Sequence, residues 1–280
     1  VYRNEKAGEL SGLLRVRALT QDDTHTFLRH SQIPEEIDRI LELTTYIFKT
    51  FGFKNYRARI STRDPQTPEK YLGDPASWDK AEIALDEAVK RHNMVSVNGV
   101  GEAAFYGPKI DIIVKDAIGR EWQLTTVQLD FNQPKNFDMN YSNEEGKLER
   151  PAVLHIAILG SFDRFMGILI EHYAGAFPVW LAPVQVVLIP IAERHNTAAQ
   201  QALQTLRDAG LRVELDDRSE SMQAKIRDAT LQKVPYMGIM GDREVAGGVL
   251  SVRTRRGEDL KTMSLENFVA KLKEEIERKI

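Results

Sequence analysis

Alternation and helical periodicity divide the chain before any chemistry is considered. Residues 1–5 read as extended, residues 7–12 as a polar turn containing glycine, and residues 13–19 alternate, which predicts a β-hairpin with a charged tip. On the returning strand Arg15 and Arg17 share one face while Leu14, Val16 and Ala18 share the other, because side chains alternate with period two. Over residues 34–51 the apolar positions Ile37, Ile40, Leu41, Leu43, Tyr46, Ile47 and Phe51 recur near helical spacing, with Pro34 early and Gly52 as a stop. Residues 53–62 alternate as a strand with Arg57 and Arg59 on its polar side. A polar loop over 63–73 precedes a second helix, starting at Pro75 or Trp78 and ending at His92, where Arg91 and His92 suit the helix dipole.

Residues 110–114 and 121–131 read as two strands joined by a turn at 116–119, a second hairpin. Its return strand carries Gln123 and Gln128, which lie on opposite faces unless a bulge intervenes. Residues 132–150 are polar and turn-rich, predicting a loop over a site. Residues 151–160 are continuously apolar, predicting a strand buried on both faces. His155 lies within it, and the ordinary reading of a lone imidazole there is a hydrogen-bonded core residue. Ser161 caps a helix reaching about residue 174. Arg164 falls in its first turn, where the dipole disfavours a cation, so a compensating anion is expected.

A Pro-rich junction at 177–183 separates a second half that runs strand (184–191), helix (196–209), strand (212–215), helix (221–232), strand (236–240), strand (248–254), helix (264–280). Alternating strand and helix predict a mostly parallel, twisted sheet. Arg253, Arg255 and Arg256 form its dense basic cluster, whose ordinary reading is a solvated strand end.

Composition narrows the class. At 42% hydrophobic and 28% charged residues, the chain falls in the globular range, with room for two ordinary domains, here drawn at 1–180 and 184–280. No apolar run is long enough to span a membrane. The absence of cysteine removes disulfides and thiolate metal ligands from this chain. A net charge of -3 gives no global signature of nucleic-acid binding, so any such contact must be local. The chain opens on Val1, without an initiator methionine or targeting segment, and is expected to be part of a longer polypeptide.

Chemistry enters with the arginines. Arg3 and Arg15 could grip a nucleotide triphosphate with planar forks, and the acids and imidazole over 21–25 could serve a cationic amine, a hydroxyl or a metal. The strings Arg-Asn-Glu, Gly-Glu-Leu-Ser-Gly-Leu, Arg-Val-Arg and Thr-Gln-Asp-Asp-x-His resemble motif 2 of the threonyl-tRNA synthetases, a class II aminoacyl-tRNA synthetase family. AFYGPKID (104–111), TVQLDF (126–131) and HIAILGSFDRF (155–165) follow in family order, the last resembling motif 3. WLAPVQVV, KVPYMGIMGDREV and SVRTRRG are similar to that family's anticodon-binding domain. Several separated motifs in one order are far more specific than any one alone.

The resemblance implies an α+β class II synthetase core with an antiparallel sheet, N-terminally incomplete, followed by a smaller α/β anticodon-binding domain. It implies ATP-dependent activation of L-threonine and its transfer to tRNA(Thr). Arg3 would hold the α-phosphate and the substrate carboxylate, Arg15 and Arg164 the γ-phosphate, and Glu5 the adenine amino group, with Mg2+ accompanying ATP. Gln123 would approach ATP, and Leu19 stands where the family often has an adenine-stacking aromatic. Gln21, Tyr106, Lys109 and Gln128 would line the amino-acid pocket, with Asp23 accepting the threonine hydroxyl. His25 and His155 would be zinc ligands, the third being a cysteine this chain lacks. Leu124 and Thr125 replace small residues of the family pattern. Glu244 and Arg253 would read anticodon bases, and a cytoplasmic homodimer is implied for the full-length protein. The alternatives are a non-catalytic tRNA-binding or regulatory module of the same fold, and a prolyl or seryl relative. The Thr-Gln-Asp-Asp-x-His string argues against the last two.

Overall fold

Two amphipathic helices supply the apolar layer beneath the first sheet. Ile33, Ile37, Ile40, Leu41 and Phe48 recur every three or four residues, so α1 (Ile33–Thr50) buries one full face. α2 (Pro75–Arg91) buries Trp78, Ala81, Leu85, Ala88 and Val89 in the same manner. It starts at Asp74, whose carboxylate accepts from the Ala76 and Ser77 N–H groups, with Pro75 where no amide proton is needed. Arg91 forks onto Asp38, and His92 Nε2 lies 3.1 Å from the same carboxylate, which ties the end of α2 to α1. The computed structural model describes residues 1–280, which divide into Val1–His172 and Tyr173–Ile280.

In the first unit β1 (Thr24–Leu28), β2 (Tyr56–Thr62), β3 (Ser96–Val100), β4 (Lys109–Lys115) and β5 (Glu121–Asp130) are followed by a short pair, β6 (Tyr141–Ser142) and β7 (Leu148–Glu149), and by β8 (Ala152–Ala157). The main sheet has the order β1-β8-β5-β4-β2-β3, antiparallel except where β3 runs parallel to β2. Along β4, Ile110, Ile112 and Val114 are buried on one face while Lys109 and Asp111 point to the other. That alternation turns a polar surface away from the helices. α3 (Asn132–Asn136) follows β5, and α4 (Phe162–Tyr173) follows β8.

Three features differ from the sequence reading. The N-terminal hairpin is an open antiparallel loop, not a regular strand pair. Arg3 N–H donates to Arg17 O (2.8 Å) and Leu19 N–H to Val1 O (3.0 Å), but Ala7–Glu9 form a 3-10 turn and Ser11 pairs back on Arg15. Tyr2 is 90% exposed and Leu14 is the segment's one fully buried apolar side chain, so little apolar burial holds the arms in register. Residues 132–150 are not a plain loop, since they contain α3 and the β6–β7 pair. The edge strands β1 and β3 were not foreseen; both are short and mostly exposed, which hides their alternation.

The second unit contains β9 (Val186–Pro190), α5 (Asn196–Asp208), β10 (Val213–Leu215), α6 (Met222–Leu231), β11 (Tyr236–Met240), α7 (Asp242–Gly247), β12 (Val249–Thr254), β13 (Asp259–Ser264) and α8 (Leu265–Arg278). Val186 and Leu188 pack with Leu203, Leu206, Phe268 and Leu272 on one face of the sheet, and Val187 and Ile189 with Ala229 and Val234 on the other. The sheet, ordered β10-β9-β11-β12-β13, is mixed and not mostly parallel. β10, β9 and β11 are parallel because α5 and α6 are long enough to cross over; α7 and the turn at Gly257 are too short, so β12 and β13 return antiparallel. No helix of either unit is long and apolar enough to cross a membrane.

Candidate functional site

The site begins with a bulge. β4 and β5 pair as Lys109 with Gln128 and Asp111 with Thr126, but then as Ile113 with Gln123, so β5 carries one extra residue. That insertion cancels the odd spacing of Gln123 and Gln128 and brings both onto the polar face of the sheet. Asp111 lies between them, wholly buried. Its Oδ1 accepts from Gln123 Nε2 (2.7 Å) and Thr126 Oγ1 (3.2 Å), and its Oδ2 from Arg59 Nη2 (3.0 Å) and Ser61 Oγ (3.1 Å), with Lys109 Nζ also at 3.0 Å. A buried carboxylate is tolerated only when it is paired and hydrogen-bonded, and here two cations and three neutral donors surround it.

The imidazoles come from neighbouring strands. His25 on β1 stands directly opposite His155 on β8, and the ring centroids are 4.6 Å apart, edge to face. His155 Nε2 lies 3.0 Å from Oδ2 of the fully buried Asp130, which leaves Nδ1 as its open nitrogen. Asp130 also accepts from the Asn132 and Gln133 N–H groups, so it fixes the start of α3 with the same carboxylate. Tyr106 lies 5.4 Å from His155 between ring centroids and donates its hydroxyl to Gln128 Oε1. Burial, and after it the negative charges of Asp130 and Asp23, push the Tyr106 phenol above its ordinary range. Gly107 lets this loop press onto β5: a Cβ there would fall 1.8 Å from Leu129 O.

The cationic side is built by the N-terminal loop and α4. Asp22 accepts from three consecutive N–H groups, Ile158 (2.9 Å), Leu159 (2.7 Å) and Gly160 (2.9 Å), and so locks the turn between β8 and α4 to the segment before β1 that carries Gln21 and Asp23. Gly160 has φ +70°, and a Cβ on it would meet Leu124 O at 2.6 Å. Ser161 Oγ accepts from Arg164 N–H. The Arg164 guanidinium donates to Leu14 O (2.8 Å) and Gln123 O (3.1 Å) and lies over the Trp122 ring. The dipole penalty at this position is roughly 0.3–1 kcal/mol, and a hydrogen bond from a charged donor is worth roughly 1.5–3 kcal/mol, so the carbonyls outweigh it. They do not neutralise the charge. Burial, with Arg3 and Arg15 nearby, holds the Arg164 pKa below its ordinary value, and neither Arg164 nor Arg3 has a carboxylate within ion-pair distance. Arg15 is different: Nε and Nη2 bind Glu5 Oε2 at 3.0 and 2.8 Å, and that contact lowers the Glu5 pKa and raises that of Arg15.

These groups enclose a cleft of about 380 Å³. Arg3, Leu19, Gln21, Asp23, Tyr106, Lys109, Gln123, Gln128, His155 and Arg164 line it, although they come from four separated parts of the chain. Glu5, Arg15 and His25 stand outside that lining, the first two bound to each other. Leu124 and Thr125 are buried, and Thr125 Oγ1 donates to Ile158 O (2.6 Å). Sequence reasoning passed over Asp111, Thr126 and Asp130, and gave Asp22 only a general ligand-binding role among the acids over 21–25. A usable signal existed for Asp111, an acid inside the apolar run Ile-Asp-Ile-Ile-Val; Asp22, Thr126 and Asp130 lay inside motif strings, but nothing local set them apart as residues that hold others in place. For a zinc ion the donors present fit only in part. Two imidazoles face each other, but no third His, Asp or Glu completes a group of three.

In the second unit, Glu244 Oε2 caps its own short helix by accepting from Gly241 N–H (2.9 Å), at the carboxyl end of β11. Arg253 on β12 pairs with Met237, near the amino end of β11, so the two are carried toward opposite ends of one strand pair. Arg255 is held by Ala176 O, Phe177 O and Lys233 O.

Residues 1–173 match the family model described as tRNA synthetase class II core domain (G, H, P, S and T), and residues 185–275 the model described as anticodon binding domain. A threonine–tRNA ligase of Thermus thermophilus is 50% identical over 281 residues, taking in 100% of this chain and 42% of that protein. One from Deinococcus radiodurans is 52% identical over 261 residues, 93% of this chain and 40% of that protein. The crystal structure of the RNA binding domain of threonyl-tRNA synthetase from Cryptosporidium parvum Iowa II superposes with a TM-score of 0.91 at 33% identity, over 98% of this chain and 68% of that one. The chain thus spans less than half the length of the curated relatives it matches.

Proposed function

The chain belongs to the class II tRNA synthetase family, and from that premise we propose that it forms the catalytic core (1–180) and anticodon-binding part (184–280) of a longer polypeptide that activates L-threonine with ATP and transfers it to tRNA(Thr). One observation supports this above the rest: unneutralised arginines and the acceptors suited to a small amino acid border one cleft. Activation is attack by the amino-acid carboxylate on the α-phosphorus of ATP. Two unit anions 4 Å apart repel by about 4 kcal/mol at an effective dielectric of 20, roughly a thousandfold in rate if nothing offsets it. Arg3, free of any carboxylate partner, is suited to bridge the two. Arg164 would take the γ-phosphate, and Arg15 would join it by exchanging or sharing Glu5, whose other role is toward the adenine amino group. Mg2+ would accompany the triphosphate.

Gln21, Asp23, Tyr106, Lys109 and Gln128 would surround the threonine, with Gln123 and Leu19 toward the nucleotide. A zinc ion would be held by His25 and His155 with a donor that this chain does not contain, and would supply a Lewis acid that binds the substrate amine and hydroxyl, rejecting valine. Glu244 and Arg253 would meet different anticodon bases, a carboxylate accepting from base amino groups and a guanidinium forking onto guanine. A cytoplasmic homodimer completes the reading. Pyrophosphate exchange by the complete polypeptide, with threonine, serine, valine and proline compared, tests it. Threonine-dependent exchange is expected; preference for proline moves the assignment to a sister enzyme, and exchange with no amino acid leaves a non-catalytic module.

A further inference from the structure

The buried carboxylate of Asp111 has a consequence that reaches the far side of the cleft. An ionised carboxylate only accepts hydrogen bonds, and Asp111 stands against Lys109 and Arg59. Thr126 Oγ1, 3.2 Å from Oδ1, must therefore donate to it. Its hydroxyl has one proton, so toward Gln128, 3.1 Å away, Thr126 can only accept, and Gln128 must turn its Nε2 that way. The Gln128 Oε1 then faces Tyr106, and Tyr106 must give its proton to it. Each direction follows from the one before, starting from a group that cannot donate. Gln123 obeys the same rule directly: Nε2 is committed to Asp111 Oδ1 (2.7 Å), which leaves its Oε1 for the cleft.

We propose that Asp111 and Thr126 are positioning residues that set the hydrogen-bond polarity of the amino-acid pocket, so that Tyr106 Oη faces the cleft as an acceptor and selects a ligand whose amino group donates to it. The inference rests on the reading of this cleft as an amino-acid site. It explains why an aspartate occupies the centre of an otherwise apolar strand, and why the bulge in β5 is needed: without it Gln123 would point to the helices and the carboxylate would lose its shortest hydrogen bond. A site whose buried groups can only accept rejects a ligand that cannot donate, because the acceptors are then desolvated without a partner.

The test compares Thr126→Val, which keeps the shape and removes the relay, with Thr126→Ser, which restores the hydroxyl, in the complete polypeptide. The readouts are the KM for threonine, the KM for ATP, and the inhibition constant of 3-hydroxy-2-methylbutanoate, in which methyl replaces the amino group. Thr126→Val is expected to raise the threonine KM about tenfold, with the ATP KM and the inhibition constant of the analogue moving less than about twofold, and Thr126→Ser to recover most of the loss. Equal loss toward threonine, ATP and the analogue would mark a structural role and overturn the proposal, as would a Thr126→Val protein indistinguishable from its parent. Exchange with a different amino acid in place of threonine, with the Thr126→Val effect intact, would remove the threonine reading and leave the relay standing. Absence of exchange with any amino acid overturns both.

Discussion

The two units treat their charges differently. In Tyr173–Ile280 Arg194 forks onto Asp242, which His195 Nε2 also approaches at 2.8 Å, and Arg218 joins Asp216 to Asp228, while Arg255 donates to backbone carbonyls as Arg164 does. The first unit also pairs most of its surface ions, Lys109 with Asp111 and Arg15 with Glu5 beside the cleft among them, but Arg3 and Arg164 there have no carboxylate within ion-pair distance. Charges that repel in the folded chain cost stability, and they concentrate at functional sites where a ligand can neutralise them.

Substitutions that move charge in either unit should separate function from stability. The largest effect is expected at Arg164: Arg164→Ala should lower pyrophosphate exchange about 100- to 1,000-fold. Its thermal stability should stay within about 1 kcal/mol of the parent, because the lost carbonyl bonds are offset by relief from burial and from Arg3 and Arg15. Exchange assays beside thermal melts check this, and a large loss of stability would make Arg164 an ordinary structural cation.

Asp22→Asn is expected to be costly on both axes. Three N–H groups lose a charged acceptor and an amide proton now faces them, so about 2–3 kcal/mol of stability should go, with exchange falling at least tenfold as Arg164 loses its register. Urea unfolding at fixed pH measures the first effect. Next in size, Arg255→Ala should destabilise the second unit by about 1–2 kcal/mol and leave exchange unchanged, the mirror image of Arg164→Ala. An exchange defect in a folded Arg255→Ala protein would break the contrast between the units.

The smallest effect is confined to alkaline pH. Burial, with the hydrogen bond to Glu275 second, pushes the Tyr236 phenol up to about 12. The folded protein keeps a proton that the unfolded chain releases near pH 10, about the ordinary tyrosine value. Tyr236 therefore contributes its full share of stability below that pH and loses it as pH rises toward 12. Thermal melts across that range should show a steeper decline in the parent than in Tyr236→Phe.

Helices were the most legible elements, since α1 and α2 bury stripes whose spacing is written locally: Ile37, Ile40 and Leu41 in one, Trp78, Ala81 and Leu85 in the other. Motif strings pointed to many residues that line the cleft, because such residues have to be of particular chemical types, and also to Glu5, Arg15 and His25, which lie outside its lining. They assigned no positioning role to Asp22, Thr126 or Asp130, which hold other groups still, and an aspartate facing three amides looks in sequence like any loop acid. The N-terminal hairpin was over-read: its alternation is real, but too little of it is buried to enforce a ladder.

Amino-acid order alone determined the kinds of group available and the local shape of each segment, through side-chain period, proline, glycine and caps. Which of those groups meet was decided by strand pairing over long separations. His25 opposes His155 across 130 residues because β1 and β8 share a register, and Gln123 joins Gln128 because one extra residue bulges out of β5. Hydrogen-bond direction was decided later still: only when Asp111 is enclosed at the centre of the sheet does a carboxylate's inability to donate reach as far as the Tyr106 hydroxyl.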